Sequence, residues 1–156
     1  MSSIKDIYHK SIATGMGFGL SPFAPGTAGA FLAVLLLYPI SLSHFADYWL
    51  IGLSVIFYFL GVSSTNYVEK AWGEKDPSRV VIDEVIGLWI TIIFIPISLT
   101  TAILAFVLFR LFDIWKPLGI RKLEKISGGH GVMLDDVLAG VYSNIALQLI
   151  YHFILK

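Results

Sequence analysis

The run VIGLWITIIFIPISLTTAILAFVLF, Val85 to Phe109, carries no formal charge and is too long for a single comfortable membrane crossing. As one straight helix at about 1.5 Å per residue, it would set the flanking acids Asp83 and Asp113 roughly 45 Å apart. A hydrocarbon core is only about 30 Å thick. Pro96 and Ser98 stand near the middle of the run and permit a break. A broken pair of shorter helices returns the chain to its starting side, provided the irregular backbone is buried in protein.

Charge on both flanks favours the return. Lys70, Lys75 and Arg79 precede the run, while Arg110, Lys116, Arg121, Lys122 and Lys125 follow it. Basic residues mark the cytoplasmic side, so both flanks belong there, as do Lys5 and Lys10 near the N-terminus. The segment after the run is Arg110-Leu111-Phe112-Asp113-Ile114-Trp115-Lys116, ending at Pro117. On a helix the three charges neighbour one another along one side, and the proline ends it.

Composition sets the class. Of 156 residues, 56% are hydrophobic and only 14% charged, and mean hydropathy is +0.79. These values lie outside the soluble range and predict a membrane protein of a single domain over 1–156, its hydrophobic segments read as several helices, some of them short or broken. The formal net charge is zero, and no basic stripe interleaved with aromatics occurs, which excludes a nucleic-acid partner. The absence of cysteine excludes thiolate metal sites and a cysteine nucleophile. No cleavable signal segment is read in Met1–Lys10.

Tyr48–Val68 is uncharged and long enough to span, and pairs out and back with the earlier segment Ala28–Ile40. Thr27 is the expected N-cap of that earlier segment. The Gly/Pro-rich stretch before it, with Gly15, Gly17, Gly19, Pro22, Pro25 and Gly26, is either an entry turn or a loop whose amides at Gly26 and Thr27 meet an anion. Asp76-Pro77 reads as a helix start. Ile120–Ile126 is short, basic and amphipathic, suited to a headgroup surface or a solvated loop. Ser127–Gly131 is a flexible turn leading to a second acidic pair, Asp135-Asp136, which opens an apolar helix over Val137–Leu155. Asn144 and Gln148, a turn apart in that helix, suit interhelical hydrogen bonds.

Asp83, Glu84, Asp113, Asp135 and Asp136 thus all abut apolar segments on one membrane side. Ionisable groups there are expensive and mark functional sites. Gathered together they repel one another unless a cation or proton holds them, and an oxygen-only ligand set suits a hard ion such as Mg²⁺. Arg110 and Lys116 then suit a phosphate group. Taken singly, each acidic pair also reads as an ordinary helix N-terminus.

The same residues carry a family resemblance. Gly17-Phe18-Gly19 with Ala24-Pro25-Gly26-Thr27 and Gly29, Asp76-Pro77 with Asp83-Glu84 and Gly87, Arg110-x-Phe112-Asp113-x-x-Lys116-Pro117, and Gly128-Gly129-x-Gly131-Val132-Met133-x-Asp135-Asp136 with Ala139-Gly140 run in order along nearly the whole chain. Together they resemble phosphatidylglycerophosphatase A. One departure is Leu118, where the family usually has a second proline. The resemblance implies an all-α fold, expected as a compact helical membrane bundle, and a Mg²⁺-dependent phosphatase of the bacterial inner membrane, multi-pass, with its active site on the cytoplasmic side. Its lipid substrate would be phosphatidylglycerophosphate, converted to phosphatidylglycerol and phosphate.

On this reading the five acids supply Mg²⁺ ligands and catalytic groups, Arg110, Lys116, Thr27 and Gly26 hold the substrate, and His130 is a candidate acid for the leaving oxygen. Direct attack by water and an aspartyl-phosphate intermediate are both open. The rival classes are a small membrane cation transporter or channel, which predicts carboxylates spread through the depth of the spans, and a structural subunit, which leaves the charged motifs without a task.

Overall fold

The computed structural model describes residues 3–117, 119–123 and 125–156, and every regular element among them is helical. Helices α1 (Ile4–Ala13), α2 (Pro25–Ser41), α3 (Ala46–Trp72), α4 (Ile82–Ile92), α5 (Leu99–Trp115), α6 (Ile120–Leu123) and α7 (Gly129–Ile150) follow in order, with a 3₁₀ turn over Phe18–Leu20 and a π-helical turn over Tyr151–Leu155. Helix α4 is the centre, packed against α2, α3, α5 and α7. Nearly all of it is buried, including Val85, Ile86, Leu88, Trp89 and Ile92. A helix apolar all round needs neighbours on every side, and α4 has them.

The apolar run breaks after Ile92 and resumes at Leu99. Pro96 accounts for the interruption, since it has no N–H and cannot continue the α4 ladder. Phe94 takes a left-handed φ of +63°, and its N–H donates to Asp47 Oδ1 at 2.8 Å. Asn144 Nδ2 donates to the freed carbonyls of Thr91 and Ile93, each at 2.9 Å, and Gln148 Nε2 reaches Ile93 O at 3.3 Å. On the other side of the break, Ser98 and Thr101 cap α5 reciprocally. The Phe94 N–H and the Thr91 and Ile93 carbonyls, which the break releases from the helix ladder, thus find partners within the protein.

Two helical stretches, Ala46–Trp72 and Gly129–Leu155, are long and apolar enough to cross a membrane. Exposed apolar side chains such as Phe31, Phe59, Ile103, Val107, Ile145 and Leu149 give α2, α3, α5 and α7 an outer apolar face. Helices α4 and α7 approach closely. A methyl at Gly140 would lie 3.1 Å from Gly87 Cα and nearer still to its carbonyl oxygen, and one at Gly87 would meet Asp136 O at 2.8 Å. The two helices therefore touch backbone to backbone just below their acidic pairs.

Several local expectations are corrected. Helix α2 starts at Pro25 with Ala24 before it at φ +45°, so Thr27 lies inside the first turn and is not the N-cap. Proline's fixed φ suits that first position. The Gly-rich stretch makes room for the passing backbone: a Cβ at Gly29 would meet Val81 Cβ at 2.6 Å, and Val81 N donates to Ala13 O at 2.8 Å. Asp76-Pro77 starts no helix. Asp76 has φ +48°, its N–H is held by Glu69 Oε1 at 2.9 Å, and α4 begins only at Ile82. Helix α7 begins at Gly129, not at the acidic pair, because Gly129 N donates to Asn66 Oδ1 at 2.8 Å and packs where a Cβ would strike the Val62 backbone. Helix α1 was not anticipated. His9 anchors it, stacked on Tyr67 with Nδ1 3.1 Å from Ser64 Oγ. Of the basic stretch, α6 is helical, and residues 118 and 124 lie outside the described residues.

Candidate active site

The return of α5 alongside α4 brings the separated charges into one pocket of about 330 Å³. Asp83 and Glu84 occupy the first turn of α4, whose N-cap Val81 offers no side-chain bond, so the amide end favours negative charge there. Asp135 and Asp136 lie in the second turn of α7, and Arg110 and Asp113 in the last turns of α5. Lys116 is the α5 C-cap, at φ +49°. All seven side chains line the pocket, with Gly26 from the start of α2. A Cβ at that point would sit 3.0 Å from Arg110 Nη1 and closer to Glu84 Oε1, so the glycine lets both side-chain ends rest against the start of α2.

The acids fall into two groups. Asp83, Glu84 and Asp136 each offer an oxygen, and the three atoms lie within 4.8 Å of one another. Asp83 Oδ1 and Glu84 Oε2 are buried and have no hydrogen-bond partner. Asp113 and Asp135 instead hold the cations: Arg110 Nη1 is 2.6 Å from Asp113 Oδ2 and 3.8 Å from Glu84 Oε1, and Lys116 Nζ is 2.6 Å from Asp135 Oδ2. The charges of Asp113 and Asp136 also lie close enough to repel one another, which links the groups. Arg110 Nε is buried without a partner.

Burial, with the Glu84 charge beside it, pushes the Asp83 carboxyl well above the ordinary range. Burial likewise raises Glu84 from the usual 4.5 to about 8, against the lowering effect of its hydrogen bond with Asp83. Without a cation these acids retain protons. A donor set made only of carboxylate oxygens, two of them unpartnered, fits a hard divalent ion that displaces those protons.

Two candidates stand apart. Thr27 is exposed and does not line the pocket, because the α2 start three residues earlier than expected turns it outward. His130 is exposed in the first turn of α7, with Nδ1 2.9 Å from Tyr58 Oη, and it too is absent from the pocket wall. The structure adds Asp76, which lines the pocket from the 73–81 connection. An acid before proline resembles a cap in sequence, and only its left-handed φ shows that it serves a turn.

Sequence relatives fix the class: this chain is a phosphatase. It belongs to the phosphatidylglycerophosphatase A family, whose model matches residues 11–151. Phosphatidylglycerophosphatase A of Escherichia coli is 39% identical over 144 residues, covering 90% of this chain and 82% of that protein. The Haemophilus influenzae protein of the same name is 36% identical over 150 residues, covering 92% and 89%. A protein of Bacteroides thetaiotaomicron called putative phosphatidylinositol-3-phosphatase is 52% identical over 143 residues, covering 87% and 89%. No solved structure matches the chain.

Proposed function

We propose that the chain hydrolyses the terminal phosphate monoester of a membrane phospholipid, phosphatidylglycerophosphate foremost, using Mg²⁺ held by Asp83, Glu84 and Asp136. The observation that carries this reading is the trio of carboxylates with two orphaned buried oxygens, set beside Arg110 and Lys116. Relatives named for phosphatidylglycerophosphate and for a phosphoinositide share one chemistry, a phosphate monoester on a lipid headgroup.

When bound, Mg²⁺ supplies charge neutralisation and polarisation of the phosphoryl oxygens. Arg110 binds the incoming dianion through its guanidinium, and Lys116 through Nζ. The phosphate then takes these cations from Asp113 and Asp135. A carboxylate released in this way, Asp113 Oδ2 above all, accepts a proton from the attacking water. The water oxygen bonds to phosphorus, the phosphorus–ester bond breaks, and the proton taken by Asp113 passes to the departing glycerol oxygen, which restores the carboxylate. An aspartyl-phosphate route differs in one readout: its two in-line displacements retain configuration at an isotopically chiral phosphorus, whereas direct attack by water inverts it.

We place the pocket on the cytoplasmic side of a bacterial inner membrane. Every lysine and arginine except Lys156 lies at the pocket end of the bundle, the asymmetry expected of a cytoplasmic face. On this reading α2 with α3 and α4 with α5 form two out-and-back pairs that turn at one level, where the Phe94 N–H meets Asp47 Oδ1, and α7 runs alongside them. The carboxylates at one end, rather than through the depth, count against an ion pathway.

The test is phosphate release from phosphatidylglycerophosphate in detergent micelles. Release with Mg²⁺ that stops on adding a chelator and resumes on adding the ion is expected. A pure, folded protein that liberates no phosphate with Mg²⁺ present overturns the reading.

A further inference from the structure

A second cavity of about 300 Å³ adjoins the reaction pocket and shares Asp76, Val132 and Asp135 with it. The rest of its wall comes from Glu69, Lys75, Ile126 and the α7 start at Gly128 and Gly131. This wall is firmly held. Glu69 Oε1 accepts the Asp76 N–H at 2.9 Å, tying the 73–76 turn to α3, and Asn66 Oδ1 accepts the Gly129 N–H at 2.8 Å. At Gly131 no side chain fits, because a Cβ would meet the Ile126 backbone.

The chemistry of the annex differs from that of the reaction pocket. Lys75 is the cation of its wall and carries no ion pair among the described residues, and it faces the carboxylates of Glu69, Asp76 and Asp135, of which Asp135 is already held by Lys116 Nζ at 2.6 Å. Such a balance repels a second phosphate. It suits neutral hydroxyls, which donate to carboxylates and accept from an ammonium. The volume lies at the small end for ligand sites, right for part of a ligand, and the shared wall places that part next to the phosphate.

We propose that this annex binds the polyol of the lipid headgroup, the alcohol side of the ester that is cut, with Lys75 and Glu69 gripping its hydroxyls. The inference rests on the phosphatase reading above and names what selects the headgroup. Glycerol and inositol differ in hydroxyl number and spacing, so the annex is where two phosphorylated lipids of this kind are told apart.

The experiment compares wild type with Lys75→Met and Glu69→Gln on phosphatidylglycerophosphate, phosphatidylinositol 3-phosphate and p-nitrophenyl phosphate, which has no polyol. Each variant is expected to lose about tenfold in kcat/KM on its preferred lipid relative to p-nitrophenyl phosphate, mostly through KM, and to change the ratio between the two lipids. Lipid kinetics identical to wild type overturn the annex assignment. A parallel fall on all three substrates, with an unchanged melting temperature, overturns it too, because the residues would then serve the reaction pocket itself. Wild type inactive on all three removes the phosphatase reading and this inference together, a result separable from active wild type with indifferent variants.

Discussion

Gly140→Ala tests whether the spacing of α4 and α7 sets the activity. The added methyl would lie 3.1 Å from Gly87 Cα and closer to its carbonyl oxygen, where carbon contacts are comfortable only from about 3.5 Å. The helices must part by roughly 1 Å, and since both contacts are backbone, no side chain can yield in their place. Overpacking of this kind costs about 1–3 kcal/mol, while replacing a mid-helix glycine by alanine returns about 1 kcal/mol. Net stability should therefore fall by at most about 2 kcal/mol. Function should suffer more. Asp83 and Asp136 stand one helical turn from the contact, on opposite sides of the gap, so the widening passes straight into the trio that spans 4.8 Å. A misplacement near 1 Å can reduce rate about 100-fold. The assay pairs a thermal melt with kcat/KM measured across a Mg²⁺ titration. Weaker apparent Mg²⁺ affinity and a loss of about tenfold to 100-fold are expected, with the fold kept. Wild-type kinetics at wild-type Mg²⁺ concentrations would refute the reasoning.

Other substitutions probe other parts of the account. Asp83→Asn and Asp136→Asn should each abolish turnover and weaken Mn²⁺ binding by at least about tenfold, measured by titration, while Asp113→Asn should abolish turnover with Mn²⁺ binding largely kept. His130→Ala should retain phosphatase activity within about twofold, and a 100-fold loss would restore it to the site. Asn144→Leu leaves the Thr91 and Ile93 carbonyls short of a donor and should lower stability by about 2–4 kcal/mol in a detergent melt, with little effect on Mg²⁺ affinity. The pH dependence of stability follows from Glu84. Its folded carboxyl holds a proton up to about 8 and its unfolded one only to 4.5, so the folded state binds the extra proton between those values. Without divalent ions, stability should fall as pH rises from about 4.5 to 8, and the gain in melting temperature on adding Mg²⁺ should grow over the same range.

The break in the central run could be read from sequence because Pro96 and the basic flanks constrain it independently. The gathering of Asp83, Glu84, Asp113, Asp135 and Asp136 was legible for a related reason: charges next to apolar helices need company, and a returning chain supplies it. The division of labour was not legible. Which acids face one another and which hold Arg110 and Lys116 depends on helix rotation, which three-residue spacings do not fix. Helix starts also escaped. Gly129 begins a helix because Asn66 on α3 takes its N–H, a contact of which intrinsic propensity carries no trace, and Pro25 begins one after Ala24 turns left-handed, a conformation that alanine does not announce. His130 looked catalytic from its glycine neighbours, but the first turn of α7 directs it to Tyr58. Asp76 was hidden for the opposite reason, since its ordinary role before proline masked a place in the pocket.

Anomalous diffraction from crystals of the protein grown with Mn²⁺ in place of Mg²⁺ would show where the cation sits. The account predicts a peak enclosed by Asp83, Glu84 and Asp136, with Arg110 and Lys116 facing the open side. A peak elsewhere, or none there in protein that hydrolyses the lipid with Mn²⁺, would contradict it.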